Sequence, residues 1–414
     1  MFVKNKKPEI RFKEFSDDWE QRKFSETFTK ISNNTLSRAE LNYNSGLSKN
    51  IHYGDVLIKF GELLDVGKDE LPYITDDFLS NKFKSSKLQI GDVIMADAAE
   101  DEMVGKCTEL VNVGKEIVVS GLHTIPSRPT QFFASGYLGY FMNSPVYHNQ
   151  LLRLMQGTKV LSISKTTLQD TAIYYPIDSE EQTQIGTFFK NLDHLLTLHQ
   201  QKYNKLVTIK KAMLEKMFPK EGANVPEIRF RGFTEDWEGR KLGELVLIKS
   251  GWSPSNFCSG NALFIKVDDL NYSIREQDDS QMKVEDNLKF NIVKKGSIIF
   301  PKRGAAIMTN KVRILANDGY MDTNMMALEP IGINGDFLYL FISKIGLYKI
   351  ADTSTIPQIN NKHIEPYEIL SPSKKEQEKI GNFFKNTDNF ITLYKRELEK
   401  LKNLKKACLE KMFV

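Results

Sequence analysis

The segment with the most chemical promise is Gly61-Glu-Leu-Leu-Asp-Val-Gly67-Lys68-Asp69, a glycine–lysine stretch of the general kind that cradles phosphate. It carries one residue too many between its glycines, and Asp69 stands where a serine or threonine must reach Mg2+. A metal-dependent nuclease core wants an acidic residue two positions before a lysine, and no Asp or Glu here has lysine at that spacing. There is no G-x-G for a dinucleotide, no N-P-P-F/Y for amino-methyl transfer and no H-E-x-x-H for zinc. His52, His123, His148, His194, His199 and His363 are scattered; His194 and His199 share a helical stretch but stand five apart, wrong for one metal. Cys107, Cys258 and Cys408 form no C-x-x-C pair, which argues against a zinc ribbon or a disulfide framework and fits a reducing cytoplasm. The expectation is a chain that is not catalytic by itself and holds no metal.

Residues suited to gripping nucleic acid are easier to find. Lys302 and Arg303, in Pro301-Lys302-Arg303-Gly304, follow an apolar run, with Lys311 and Arg313 beyond. Cations on phosphates and donors or acceptors on base edges are what duplex recognition needs. The matching place in the first half, MADAAEDE at 95–102, is acidic and cannot bind phosphate. Asp97 or Glu100 there could accept from a cytosine or adenine amino group, or form a solvated acidic loop. Gln156, Thr158, Lys159 and Lys165 in the first half, and Thr353, Ser354 and Thr355 in the second, lie in polar loops that suit groove contacts or plain solvated turns. The net charge of +4 permits nucleic-acid binding without arguing for it.

What must position these residues is an internal duplication. PEIRFKEFSDDWEQRK at 8–23 and PEIRFRGFTEDWEGRK at 226–241 are identical at eleven of sixteen positions, Trp19 and Trp237 included. EQTQIGTFFKNLD at 181–193 and EQEKIGNFFKNTD at 376–388 share nine of thirteen, and KKAMLEKMF at 210–218 and KKACLEKMF at 405–413 share eight of nine. The last two pairs have one offset, 195, so each stretch is an ungapped element; the first pair is offset by 218. The joints were kept and the middles diverged.

Each ungapped element reads as one long helix. Ile185, Phe189, Leu192, Leu196, His199, Tyr203, Leu206, Met213 and Met217 alternate in steps of four and three, interrupted by Lys210. Ile380, Phe384, Thr387, Ile391, Tyr394, Leu398, Leu401, Lys405, Cys408 and Met412 repeat the stripe. Over 38 residues such a helix is about 57 Å long. If the two seams pack together they run antiparallel, returning Phe413 near Pro8 in a pseudo-two-fold arrangement. The plainer alternative is an amphipathic helix packed on its own domain. Each helix carries three surplus positive charges, so the basic excess sits there and not in the middles.

The middles read as mixed α+β. Gly54-DVLIKF, Gly91-DVIMA, Glu116-IVVS, Gly296-SIIF, Lys311-VRIL and Met325-MALEP suggest strands. Gly136-YLGYFMNSPVYHNQLLRLM and Asp336-FLYLFISKIGLYKI suggest counterpart helices. The expected domains are 1–180, a spacer helix at 181–218, a second domain at 219–375 and a second spacer helix at 376–414. No run approaches the length of a membrane span, and the N-terminus lacks the apolar core of a signal peptide.

These segments together resemble the specificity subunit of type I restriction-modification enzymes, over the whole chain. The resemblance rests on the two P-E-I-R-F…D-W-E-x-R-K segments, the two E-Q-x-x-I-G-x-F-F-K-N-x-D segments and the prolines, Pro176 and Pro372, that precede the latter. It implies two target recognition domains, each reading half of an asymmetric bipartite DNA site. It also implies an antiparallel coiled coil that sets the half-site spacing and docks partners along Ile185, Phe189, Leu192, Leu196, Tyr203, Leu206, Met213, Met217, Ile380, Phe384, Ile391, Tyr394, Leu398, Leu401 and Met412. The implied partners are two methyltransferase subunits and two restriction/translocase subunits, which would carry S-adenosylmethionine, ATP and Mg2+. A competing expectation is a bivalent coiled-coil adaptor that spaces two protein-binding domains without DNA specificity.

Overall fold

The computed structural model describes residues 7–352 and 354–414, so Thr353 lies outside the described residues. The chain divides into two compact units, Met1–His199 with Glu397–Val414, and Gln200–Arg396.

The first unit is built on a five-stranded sheet in the order Phe28–Lys30, Thr124–Pro129, Val93–Ala96, Cys107–Asn112, Leu63–Asp65, antiparallel except for the last, parallel pair. The second repeats that order and those directions with Val246–Ser250, Met325–Pro330, Ile298–Pro301, Arg313–Leu315 and Glu276–Gln277. The two middles are one fold. Their central strands are apolar throughout because successive side chains enter opposite faces and both faces are covered. Val93 and Met95 join one core cluster while Ile94 and Ala96 join another; Ile298 and Phe300 part from Ile299 in the same way. Gly91 and Gly296 introduce these strands with φ of +88° and +86°, a conformation that a Cβ disfavours. Divergence lies in the smaller sheet, which has four strands in the first unit and three in the second.

Two expectations fail on local grounds. The run after Gly54 is a helix, Tyr53–Ile58, not a strand. His52 caps it by accepting the Gly54 N–H at 3.2 Å, and the buried Asp55 is held by Arg38 at 2.7 Å. Each counterpart helix is also two helices. Tyr137–Met142 ends before Pro145–Leu152, with Ser144 capping and Pro145 in the first turn, where its missing N–H costs nothing. Gly335–Ile345 ends at Gly346, whose φ is +84°, before Leu347–Ile350.

Two unbroken helices, Ser179–Lys216 and Lys374–Lys411, run through the unit boundaries. Each unit holds the first half of one and the end of the other. In the first unit Ile185 and Phe189 share a core with Cys408, Met412 and Phe413, and the Phe189 and Phe413 rings stack at 5.7 Å. In the second, Ile380 and Phe384 share a core with Met217 and Phe218. Phe189 meets Phe413 while Asp193 meets Lys405, so within the unit the helices are antiparallel. Leu192, Ile391 and Leu398 are buried; Leu196, Tyr203, Leu206, Met213, Tyr394 and Leu401 are half-buried. The seam also packs on its own unit, with Phe189 against Tyr140 at 5.0 Å. Mutual packing and packing on the domain hold together.

The repeated motifs are the joints. Arg11 grips Glu181 with two bonds of 2.6 and 2.8 Å, and Arg229 grips Glu376 at 2.7 and 2.8 Å. The Gln182 amide donates to the Pro176 carbonyl and accepts from the Ala134 N–H; Gln377 does the same with Pro372 and Asn334. The Ile10 N–H closes on the Lys411 carbonyl at 2.9 Å, and the Ile228 N–H on the Lys216 carbonyl at 3.0 Å. Trp19 and Trp237 are packing anchors, against Phe413 at 6.3 Å and Phe218 at 5.7 Å. Among the described residues no helix is long and apolar enough to cross a membrane.

Candidate nucleic-acid interface

In each unit the central strand runs out into a loop that a second loop closes over. In the first, Val93–Ala96 leads to Asp97 and the short strand Ala98–Ala99, which pairs with Leu161–Ser162. Gln156 and Ser162 exchange backbone hydrogen bonds of 3.0 and 2.8 Å, so the chain between them is a hairpin loop with Thr158 and Lys159 exposed in it. Lys165 reaches back to the Asn33 side chain at 2.7 Å, and burial pushes its ammonium below the usual lysine range. Asp97 is three-quarters buried and its Oδ1 lies 3.1 Å from His123 Nδ1.

In the second unit, Ile298–Pro301 leads to Lys302 and Arg303. Arg303 bridges Gln358, the Gly304 N–H donates to the Pro357 carbonyl at 2.9 Å, and the Asp352 N–H donates to the Gln358 carbonyl at 3.0 Å. The exposed Ser354 and Thr355 lie in that covering loop, where the Ser354 hydroxyl donates to Asp352 at 2.6 Å. Lys302 is half-buried with its Nζ 3.2 Å from Ser250 Oγ; burial and the neighbouring Arg303 lower its pKa. Arg303 is exposed.

The structure therefore gathers Gln156, Thr158, Lys159 and Lys165 at one loop pair, and Lys302, Arg303, Ser354 and Thr355 at another. Lys311 and Arg313 are engaged elsewhere. Lys311 bonds the Asn271 side chain. Arg313 donates to Ser273 Oγ at 2.9 Å and to the Val312 and Leu270 carbonyls at 2.8 Å each, and burial lowers its pKa. All three guanidinium nitrogens hold the fold together, which leaves little for a phosphate. Sequence reasoning missed His123, Asn33 and Ser250. His123 has φ of +54°, which no local pattern announces. Among the described residues no group of three or more His, Cys, Asp or Glu could hold a metal ion.

The coiled-coil positions fall into two sets. The apolar seam is largely consumed inside the units, whereas Leu195 and Leu198 on the first helix, and Phe390 and Leu393 at the matching places on the second, are 37–53% exposed. Val207 and Leu404, at 41% and 48%, are exposed apolar positions on the same helices.

Comparison with known proteins agrees with this architecture. Residues 16–208 and 234–403 match the family model described as type I restriction modification DNA specificity domain. The type I restriction enzyme MjaVIII specificity subunit of Methanocaldococcus jannaschii is 24% identical over 82% of this chain and 84% of its own length. The putative MjaX specificity subunit of the same organism is 23% identical over 98% and 94%. Among solved structures, the type I restriction-modification S subunit from M. genitalium superposes with a TM-score of 0.62 at 14% identity over 99% of both chains. A chain from a study of complex assembly and conformational transition of the type I R-M system gives 0.51 at 18% identity over 95% and 97%. With two copies of the family's domain covering most of its length, this chain belongs to the type I restriction-modification DNA specificity family.

Proposed function

We propose that the chain reads an asymmetric bipartite DNA site, each unit contacting one half. The observation that carries this reading is that one five-stranded fold occurs twice with unlike residues at the same strand-end loops. Like loops would read like half-sites; these would not. Lys159, Lys165, Gln156 and Thr158 in the first unit, and Lys302, Arg303, Ser354 and Thr355 in the second, are the proposed contacts, with Lys311 at the margin. The two continuous helices are the proposed spacer. Their free positions Leu195, Leu198, Phe390 and Leu393 are the proposed docking surface for two methyltransferase subunits and, in a cleaving assembly, two restriction/translocase subunits. Adenine methylation with S-adenosylmethionine, and ATP- and Mg2+-dependent translocation and cutting, would belong to those partners, in the cytoplasm.

Sequencing the methylated bases of cells with and without this gene tests the reading. Loss of one bipartite motif on deletion is the expected result, with its spacer altered by removing a heptad from both helices. An unchanged methylome overturns it and leaves a bivalent protein adaptor as the better account. Binding of the chain with its methyltransferase to duplex should also weaken steeply with salt, as phosphate contacts release counterions.

A further inference from the structure

Asp97 of the first unit and Lys302 of the second occupy the same place in the fold. Each stands directly after the central strand. The Asp97 N–H donates to the His123 carbonyl at 3.1 Å, and the Lys302 N–H to the Asn324 carbonyl at 2.8 Å. His123 and Asn324 each immediately precede the neighbouring strand of the same sheet. The Asp97 carbonyl accepts from Ile163 at 2.9 Å, and the Lys302 carbonyl from Ile359 at 2.9 Å. Ile163 and Ile359 in turn each follow the residue that closes the covering loop, Ser162 or Gln358. The two backbone bonds at Asp97 and at Lys302 are duplicated, whereas the covering loop closes with two backbone bonds in the first unit and with one backbone and one Asp352 side-chain bond in the second. The side chains this frame presents have opposite sign.

A carboxylate accepts hydrogen bonds and a guanidinium or ammonium donates them. In the major groove, cytosine N4 and adenine N6 present donors, whereas guanine O6 and N7 present two acceptors. We infer that this frame is the base-reading position of each unit and that the two read opposite polarity. Asp97, steadied through one oxygen by His123, takes the amino group of cytosine or adenine; Arg303 with Lys302 takes the O6/N7 edge of guanine. Of the nearby cations, Lys165 is close enough to feel the charge of Asp97 and Lys159 is exposed in the covering loop, while Glu100, Asp101 and Glu102 follow as exposed acids. In the second unit Lys302 is held toward Ser250, which leaves the exposed Arg303 as the reaching group. This assignment rests on the DNA reading proposed above.

The test uses the chain assembled with its methyltransferase. Bound duplexes are selected from a library randomised in both half-sites and sequenced, for the parent, Asp97→Ala and Arg303→Gln. Each substitution should cut discrimination at one base pair of one half-site by about tenfold and leave the other half-site unchanged. Arg303→Gln should specifically lose a guanine. Asp97→Ser and Arg303→Ala serve as second variants should either first choice fail to assemble. A selected site that keeps its full discrimination in the variants, or that contains no guanine in either half, overturns the assignment alone. Failure of the parent complex to select any sequence removes the DNA reading itself, and this assignment with it.

Discussion

Lys405, near the end of the second long helix, lies 2.6 Å from Asp193 on the first, and Lys210 lies 2.6 Å from Asp388 at the matching positions of the other unit. The lysine that interrupts each apolar stripe is thus the partner of an acid repeated with it. Lys405 also meets Glu62 at 2.7 Å. Burial works against its charge, but Glu62 and Asp193 together hold its pKa above the usual value. Removing the ammonium strands two carboxylates, and breaking a buried pair costs about 3–5 kcal/mol. With Asp193 about one-third exposed, the lower end applies. Lys405→Met should therefore lower stability by about 3 kcal/mol in urea unfolding. A loss below about 1 kcal/mol would show the pair to be solvated in practice.

The recognition fold reaches this seam pair with opposite charges in the two units. Glu62 and Arg275 each precede the parallel edge strand at the same register. Glu62 binds the lysine of its pair, whereas Arg275 binds the acid, Asp388, at 3.1 Å. A seam that displays both signs can receive either. Glu62→Arg should accordingly be less destabilising than Glu62→Leu, because a guanidinium at that place can turn to Asp193 as Arg275 turns to Asp388. Unfolding midpoints in the reverse order would show that the acid is specifically required.

How far the sequence could reach follows from these residues. The duplication, the helices and the strand runs at Val93–Ala96 and Ile298–Pro301 are local patterns, and they were legible. Glu181 and Glu376 were legible as repeated letters but not as the clamps of Arg11 and Arg229, which lie far off in sequence. Lys210 read as a flaw because its partner lies on the other helix. The run after Gly54 read as a strand from its composition; the His52 cap that starts the helix is local, but the Arg38–Asp55 pair that holds it lies seventeen residues apart in sequence. At the candidate interface, Arg313 looked like a phosphate ligand because a sequence shows a charge but not the carbonyls around it.

The two arginine clamps differ in one detail that sets their relative cost. Glu181 also accepts from Trp19 Nε1 at 3.3 Å, whereas the buried Trp237 Nε1 has no hydrogen-bond partner among the described residues. Losing Arg11 leaves Glu181 one donor; losing Arg229 leaves Glu376 without that help. Arg229→Met should be the more damaging by about 1 kcal/mol, the net worth of one hydrogen bond. Lysine should rescue neither fully, since it cannot reproduce the two-bond fork. Thermal unfolding of the four variants checks the order, and equal losses would mean the indole contact carries no weight.

Glu109 supplies a pH signature for the first unit. Its carboxylate lies in the core beside the thiol of Cys107, accepting from the Gly136 N–H at 2.7 Å and the Gly139 N–H at 2.8 Å at the start of helix Tyr137–Met142. Burial raises its pKa; the backbone donors pull it back only as far as about 7, against 4.5 for an ordinary glutamate. Between those values the folded chain holds a proton that the unfolded chain has lost. Its contribution to stability is therefore full below about pH 4.5, falls as pH rises to about 7, and is level above. Glu109→Gln, neutral at every pH, should flatten that decline across pH 5–8 in urea unfolding. The same slope in parent and variant would assign the pH dependence to other groups.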